Sequence, residues 1–249
     1  LCEKTIHHLV LDQVSELTGK RFESVAELLL NLDAHLCNLL LREILPKLTL
    51  LDPACGSGAF LVAAMKTLIN LYAAAVGKIK FLADRGLTQW LNRTEKEHRS
   101  IHYYIKKTII TENLFGVDLM EEATEIARLR LFLALVAAAA SVDDLEPLPN
   151  IDFNILSGNS LIGLLRVEDK DFEKRTASLF HKSYREILLE KNRLIDNYRH
   201  TASFAQDLTA LRENIETTKR EALDILDDLL LAEFQHLDIK YEQATWDDK

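Results

Sequence analysis

Cysteine, proline and glycine are all scarce in this 249-residue chain, and basic residues are outnumbered. The three cysteines, Cys2, Cys37 and Cys55, are too few and too scattered for a disulfide framework or a Cys-x-x-Cys metal site. A reducing, cytoplasmic setting without structural zinc is therefore expected. With 30 Lys and Arg against 39 Asp and Glu, the net charge is -9. That balance excludes a self-sufficient nucleic-acid binder built on a basic stripe, so any DNA contact must be local or supplied by further polypeptide. The longest apolar candidate, residues 123–140, is interrupted by Glu125, Arg128 and Arg130, so no stretch of membrane-span length is expected. The start, Leu1-Cys2-Glu3-Lys4, has neither an initiator Met nor a signal-peptide charge pattern, which suggests a window cut from a longer chain. The prolines stand at 46, 53, 147 and 149, no two adjacent.

What is present is a core-forming composition, 48% hydrophobic and 28% charged, which excludes disorder. Three stretches follow from the pattern. Residues 1–48 read as a helical flank of two helices split near Thr18-Gly19-Lys20, the second carrying Val25, Leu28, Leu29, Leu32, Leu36, Leu39 and Leu40 at helical steps until Pro46. Residues 49–163 alternate strand and helix. A buried strand, 48–51, runs into Asp52; an apolar helix spans Ala59 to Ala75; a second strand, 114–117, precedes a helix from Glu121 to Ala140; and a third strand covers 153–156. This order predicts an α/β fold with a parallel sheet and right-handed crossovers. Ligands in such sheets bind at the carboxyl ends of the strands, here Asp52, Asp118 and Ser157 to Asn159. Residues 164–249 contain no Gly and no Pro. Phe180, Tyr184, Ile187, Leu194 and Tyr198 are matched by a strict seam from Phe204 through Leu208, Leu211, Ile215, Thr218, Ala222 and Ile225 to Leu229. Two long antiparallel helices, joined near residues 200–203, are expected as a hairpin arm, with a dimerising coiled coil as the alternative.

The strongest chemical signal is Asp52-Pro53-Ala54-Cys55-Gly56-Ser57-Gly58-Ala59-Phe60-Leu61, between strand and helix. Gly56 and Gly58 permit a tight turn and a close backbone approach, and the amides opening the helix favour an anion. A nicotinamide fingerprint would need a third glycine where Leu61 stands, and a P-loop would need Gly-Lys-Ser/Thr. An acidic residue followed by a glycine loop suits a zwitterion instead: Asp52 near an ammonium, the loop amides near a carboxylate. S-adenosylmethionine presents both at its methionyl end.

This nine-residue string resembles the cofactor motif of adenine-N6 DNA methyltransferases, particularly those of type IIG-like restriction-modification enzymes. Asn113-Leu114-Phe115-Gly116-Val117-Asp118-Leu119 resembles their second motif, whose acid binds the ribose hydroxyls. Residues 148–161, from Leu148-Pro149-Asn150 to Gly158-Asn159-Ser160-Leu161, resemble the third, with Asn159 where many relatives carry Asp at the cofactor adenine. The resemblance implies a Rossmann-like S-adenosylmethionine-dependent core, incomplete here. It implies cofactor contacts from Asp52, Pro53, Ala54, Cys55, Gly56, Gly58 and Phe60, from Asp118 and Leu119, and from Asn159, Ser160 and Leu161. The family's catalytic Asn/Asp-Pro-Pro-aromatic element, which holds a flipped-out adenine, requires a Pro-Pro pair that this sequence lacks. No catalytic or metal-binding residue is therefore assigned, and double-stranded DNA is expected as a partner only through a parent protein. A methyltransferase of protein or RNA, and a non-enzymatic helical interaction module, remain open alternatives.

The 60 residues between Gly58 and Asp118 exceed the ~20 of dinucleotide folds, so a helical insertion is expected at about 77–110. Its His98, Arg99, His102, Tyr103, Tyr104, Lys106 and Lys107 suit either a DNA-facing surface or, given Ile101, Tyr104, Ile105 and Thr108, an ordinary amphipathic helix. His7-His8 reads as a mixed helix face, Cys55 as a small loop residue rather than a nucleophile, and Asp143-Asp144 and Asp227-Asp228 as solvent-facing.

Overall fold

The computed structural model describes residues 2–98, 100–137, 149–161, 184–200 and 208–236, and among these the side chains of 199–200 and 228–236 are left aside. The expectations placed on Arg99, Asp143-Asp144, Leu148, Phe180, residues 201–203, Phe204 and the side chains of Asp228 and Leu229 lie outside the described residues. The chain divides into two compact units, Leu1–Leu161 and Ile162–Lys249.

The first unit opens with α1 (Cys2–Thr18), which buries Ile6, Val10 and Val14 along one face. The single helix expected next is two, α2 (Val25–Leu30) and α3 (Ala34–Leu39). Asp33 causes the break, because its carboxylate accepts the Leu36 amide at 2.7 Å and starts a new helix. Ser24 does the same for α2 through the Glu27 amide. Despite the break, Val25, Leu28, Leu32, Leu36, Leu39 and Leu40 all stay buried. A wide π-turn, Leu40–Ile44, and a short 3-10 turn holding Pro46 then lead to the sheet.

Strands β1 (Leu50–Asp52), β2 (Leu114–Asp118) and β3 (Ile155–Ser157) are parallel and lie in the order β1-β2-β3. Leu50 pairs with Leu114, Asp52 with Gly116, and Asp118 with Ser157. Helix α4 (Ala59–Ile79) connects β1 to the insertion helices α5 (Arg85–Glu97) and α6 (Ile101–Thr108), and α7 (Glu121–Val136) follows β2. Helices α5 and α6 occupy the residues where a helical insertion is expected. The α/β expectation holds at this coarse level, in a unit dominated by helices around a small sheet. Contrary to the expectation that no apolar stretch is long enough for a membrane span, the 21-residue α4 meets that test by length and composition, with mean hydropathy 1.7 over an 18-residue window. Leu61, Ala64, Leu68, Leu71 and Ala75 sink into the core instead, which accounts for the apolar composition without a bilayer.

Both crossovers move the same way across the sheet, so right-handed connections put α4 and α7 on one face. Pleating then sorts the strand residues. Leu50, Leu114 and Ile155 join the core on the helix side, and a Cβ on Gly116 would meet Cys55 Sγ at 2.9 Å and Leu61 Cδ1 at 3.1 Å. The alternate residues face the other way, and there Leu51 is 65% and Leu156 44% exposed.

Two buried carboxamides tie the amino ends of the strands. Asn113 donates to the Leu45 and Leu48 carbonyls at 2.7 and 2.6 Å. Asn154 donates to Ile110, Thr111 and Leu114 carbonyls at 2.8 to 3.2 Å.

In the second unit, α8 (Tyr184–His200) and α9 (Leu208–His236) pack on each other. Ile187, Tyr198, Ile215, Thr218 and Ala222 are buried along the expected seams. Lys191, the polar interruption of the first seam, has its pKa lowered by desolvation and by Lys219. Asp227, expected to face solvent, is buried instead.

Asn154→Ala leaves several buried carbonyls without a donor and should cost roughly 2 kcal/mol or more. Leu51→Lys on the open sheet face should shift stability by no more than about 0.5 kcal/mol. Urea denaturation midpoints of the two variants check both outcomes.

Candidate functional site

The site begins where β1 runs out. Asp52 turns the chain by accepting the Ala54 amide on Oδ1 at 3.2 Å, an Asx-type turn. Cys55 N–H donates to the Val117 carbonyl at 2.9 Å, so the turn is stitched to β2. Gly56 and Gly58 take φ values of 49° and 82°, the left-handed region that side chains disfavour. Gly58 is required twice over, since a Cβ there would lie 3.0 Å from the Ala127 Cβ of α7. Its amide donates to the Cys55 carbonyl at 2.8 Å, and α4 starts at the next residue. The amides of Ala59, Phe60 and Leu61, in the first turn, have no intrahelical acceptor.

Asp118 gathers the three loops. Its Oδ2 accepts the Gly56 amide at 2.8 Å and its Oδ1 the Met120 amide at 3.0 Å. Its main-chain carbonyl accepts the Gly158 amide at 2.8 Å. The bonds from Met120 first and Gly56 second hold the Asp118 pKa below the usual carboxylate range. Each oxygen keeps a further lone pair for an incoming hydroxyl. After β3, Asn159 Oδ1 accepts the Leu161 amide at 2.9 Å, which fixes the carboxamide at the turn.

Beside β1, a groove of about 280 Å³ runs between α1 and the start of α4, lined by Cys2, Thr5, Ile6, Leu50 to Pro53, Phe60, Leu61 and Ala64. Asp52 Oδ2 is buried and has no hydrogen-bond partner among the described residues. A buried carboxylate oxygen in that condition is costly unless a donor reaches it. Around the strand ends Phe60, Leu119, Met120 and Leu161 expose 58%, 72%, 61% and 93% of their surface, an apolar rim suited to a planar ring.

The structure therefore brings Asp52, Gly56, Gly58, Asp118 and Asn159 to one end of the sheet, with Pro53, Ala54 and Ser160 exposed alongside. Cys55 is different: its side chain is buried under the loop against Gly116, and burial first, then Asp52 and Asp118, raise its thiol pKa. It shapes the turn from beneath. The insertion does not reach the site as a basic face. Tyr103 is fully buried, Tyr104 stacks on His98 at 4.8 Å and meets Trp90 edge-on at 6.3 Å, and Lys106 donates to the Ala134 carbonyl at 2.8 Å. Its aromatics mostly make a core, as the amphipathic reading predicts.

Sequence reasoning missed three contributors from α7. Ala127 packs against Gly58, Arg130 Nη1 donates to the Ser57 carbonyl at 3.2 Å, and Arg128 donates to the Ile155 carbonyl at 2.8 and 3.2 Å. Both arginines read in sequence only as interruptions of an apolar run, and their small spacing from the Asp118 motif is the one signal that could have drawn attention to them. The α1 wall of the groove, Cys2, Thr5 and Ile6, was likewise legible only as packing.

Comparison with known proteins gives this geometry a family. The chain is 30% identical over 240 residues to the putative type II restriction enzyme and methyltransferase RM.MjaORFECS2P of Methanocaldococcus jannaschii, covering 90% of this chain and 18% of that protein. It is 28% identical over 114 residues to the type II restriction enzyme and methyltransferase RM.Eco57I of Escherichia coli, covering 45% of this chain and 11% of the other. The chain thus spans less than a fifth of the length of these relatives. Residues 29–161, which carry all three strands and their loops, match the family model described as MmeI, DNA-methyltransferase domain. The chain belongs to the MmeI DNA-methyltransferase domain family.

Proposed function

We propose that this chain is the cofactor-holding portion of an adenine-N6 DNA methyltransferase of a restriction-modification system, and that its cofactor is S-adenosylmethionine. When bound, that cofactor supplies an electrophilic sulfonium methyl group. The observation that carries the reading is the buried, unpartnered Oδ2 of Asp52 beside a glycine loop: a donor such as an ammonium satisfies the oxygen, and the loop and first-turn amides of α4 receive a carboxylate. Asp118 offers two acceptor oxygens to a vicinal diol, and Asn159 a carboxamide that can both accept and donate at an adenine edge. Phe60, Leu119 and Leu161 supply apolar surface for the ring.

No residue here is assigned to base flipping or methyl transfer. The sequence has no Pro-Pro pair, and the acceptors that draw a proton from the target amine belong, in this proposal, to further polypeptide. The sheet supports that division. Parallel sheets are stable with both faces covered, yet among the described residues β1 pairs only with β2, and Leu51 and Leu156 stand exposed on the second face. The alternatives of an RNA or protein substrate are disfavoured by the relatives, both named restriction enzyme and methyltransferase.

Calorimetric titration of the chain with S-adenosylhomocysteine should show binding, and Asp118→Ala should weaken it about tenfold or more through the loss of charge-assisted hydrogen bonds. Folded protein without measurable heat, or unchanged affinity in the variant, refutes the assignment. No methylation of adenine-containing DNA should accompany binding.

The pH dependence follows from the depressed Asp118 pKa. A carboxylate whose folded pKa lies below its unfolded value stabilises the fold above the unfolded value and loses that effect as pH falls through the folded one. The Asp118 to Gly56 tie should therefore persist down through the ordinary carboxylate range and break only at more acidic pH, below the titration of an unperturbed aspartate. The Gly56 amide resonance, followed through an acid titration, should report that midpoint.

A further inference from the structure

Arg130 is an exposed guanidinium that forms no ion pair among the described residues. It shares its helix with Glu121, Glu122 and Glu125 but pairs with none of them, and turns its guanidinium to a main-chain carbonyl instead. Its contact is with the Gly loop, whose Ser57 carbonyl it holds at 3.2 Å. One turn earlier on α7, Ala127 presses on Gly58. The loop is thus clamped at two consecutive residues, a few positions after Asp52, whose buried Oδ2 has no hydrogen-bond partner among the described residues.

We propose that Arg130 is a positioning and specificity-determining residue of this loop. Holding the Ser57 carbonyl fixes the peptide that sets the left-handed turn at Gly58. The same guanidinium leaves an unneutralised positive charge behind the loop, adding to the positive end of α4. Asp52 alone would favour a cation at this place and repel an anion. The arginine offsets that repulsion, so the loop takes a group bearing both charges, the amino-acid end of the ligand. This assignment rests on the Gly loop as the seat of the methionyl moiety.

Titration of the full chain with two ligands separates the possibilities. S-adenosylhomocysteine carries the amino-acid end, and 5′-methylthioadenosine has the same thioether nucleoside without it. Arg130→Ala should weaken S-adenosylhomocysteine about tenfold, the scale of a charge-assisted interaction, and leave 5′-methylthioadenosine unchanged. Arg130→Lys, which keeps the charge but not the planar fork, should fall between variant and parent. Circular dichroism checks that both variants are folded. Equal losses for the two ligands, or no loss for either, overturn the role of Arg130 while the cofactor assignment stands. Failure of the unmodified chain to bind either ligand overturns both.

Discussion

The carboxylate of Asp118 is the joint on which the candidate site depends. Three short strands of three to five residues give little ladder to hold their loops in register, so loop order must come from elsewhere. Asp118 supplies it by receiving the Gly56 amide from the loop after β1, the Met120 amide from its own, and, through its main chain, the Gly158 amide after β3. An ionised acceptor makes stronger hydrogen bonds than a neutral one, and the same donors hold its pKa down. A residue read in sequence as a ligand contact is therefore also a structural one. Loss of its charge would loosen the Gly loop before any ligand is considered.

The opposite ends of the strands are held by neutral groups. Asn113 and Asn154 sit fully or almost fully buried and reach across to main-chain carbonyls of the segments before β1 and β2. The donors of both side chains find fixed acceptors in the turns that deliver the chain into the sheet, while each Oδ1 is buried without a partner among the described residues. The carboxylates of Asp52 and Asp118 thus stand at the carboxyl ends, and these two carboxamides at the amino ends. The division fits a small sheet whose core lies on one face.

Much of this was legible in the sequence, for a local reason. A strand, an acidic residue and a glycine-rich turn into a helix are written in consecutive residues, so Asp52 to Leu61 and Asn113 to Leu119 announced their conformation. The break between α2 and α3 was written too, in Asp33, but an uninterrupted leucine pattern masks a cap when the helices on both sides bury the same stripe. Leu50-Leu51 reads as a strand buried on both sides, whereas only Leu50 is covered. That difference depends on which elements lie across the sheet, which no single segment records. Tyr103 and Tyr104 pose the same problem in reverse, since basic neighbours suggest a surface and their packing partners, Trp90 among them, lie in another helix.

Arg130 shows most clearly where sequence reasoning stops. Its partner, Ser57, is 73 positions away, and nothing in the spacing of α7 separates it from Arg128, which serves β3 instead. Two arginines two residues apart project from different sides of a helix, and here one reaches the loop after β1 and the other the first residue of β3. The fold thus converts an ordinary charged pair into two separate ties, one on Ser57 and one on Ile155. With Ala127 against Gly58, α7 controls the loop that follows β1 although it belongs to the connection after β2. Substitutions in this helix should therefore act on the Gly loop at a distance in sequence, and their effect should scale with how close each side chain lies to Ser57 and Gly58 rather than with its nearness to Asp118.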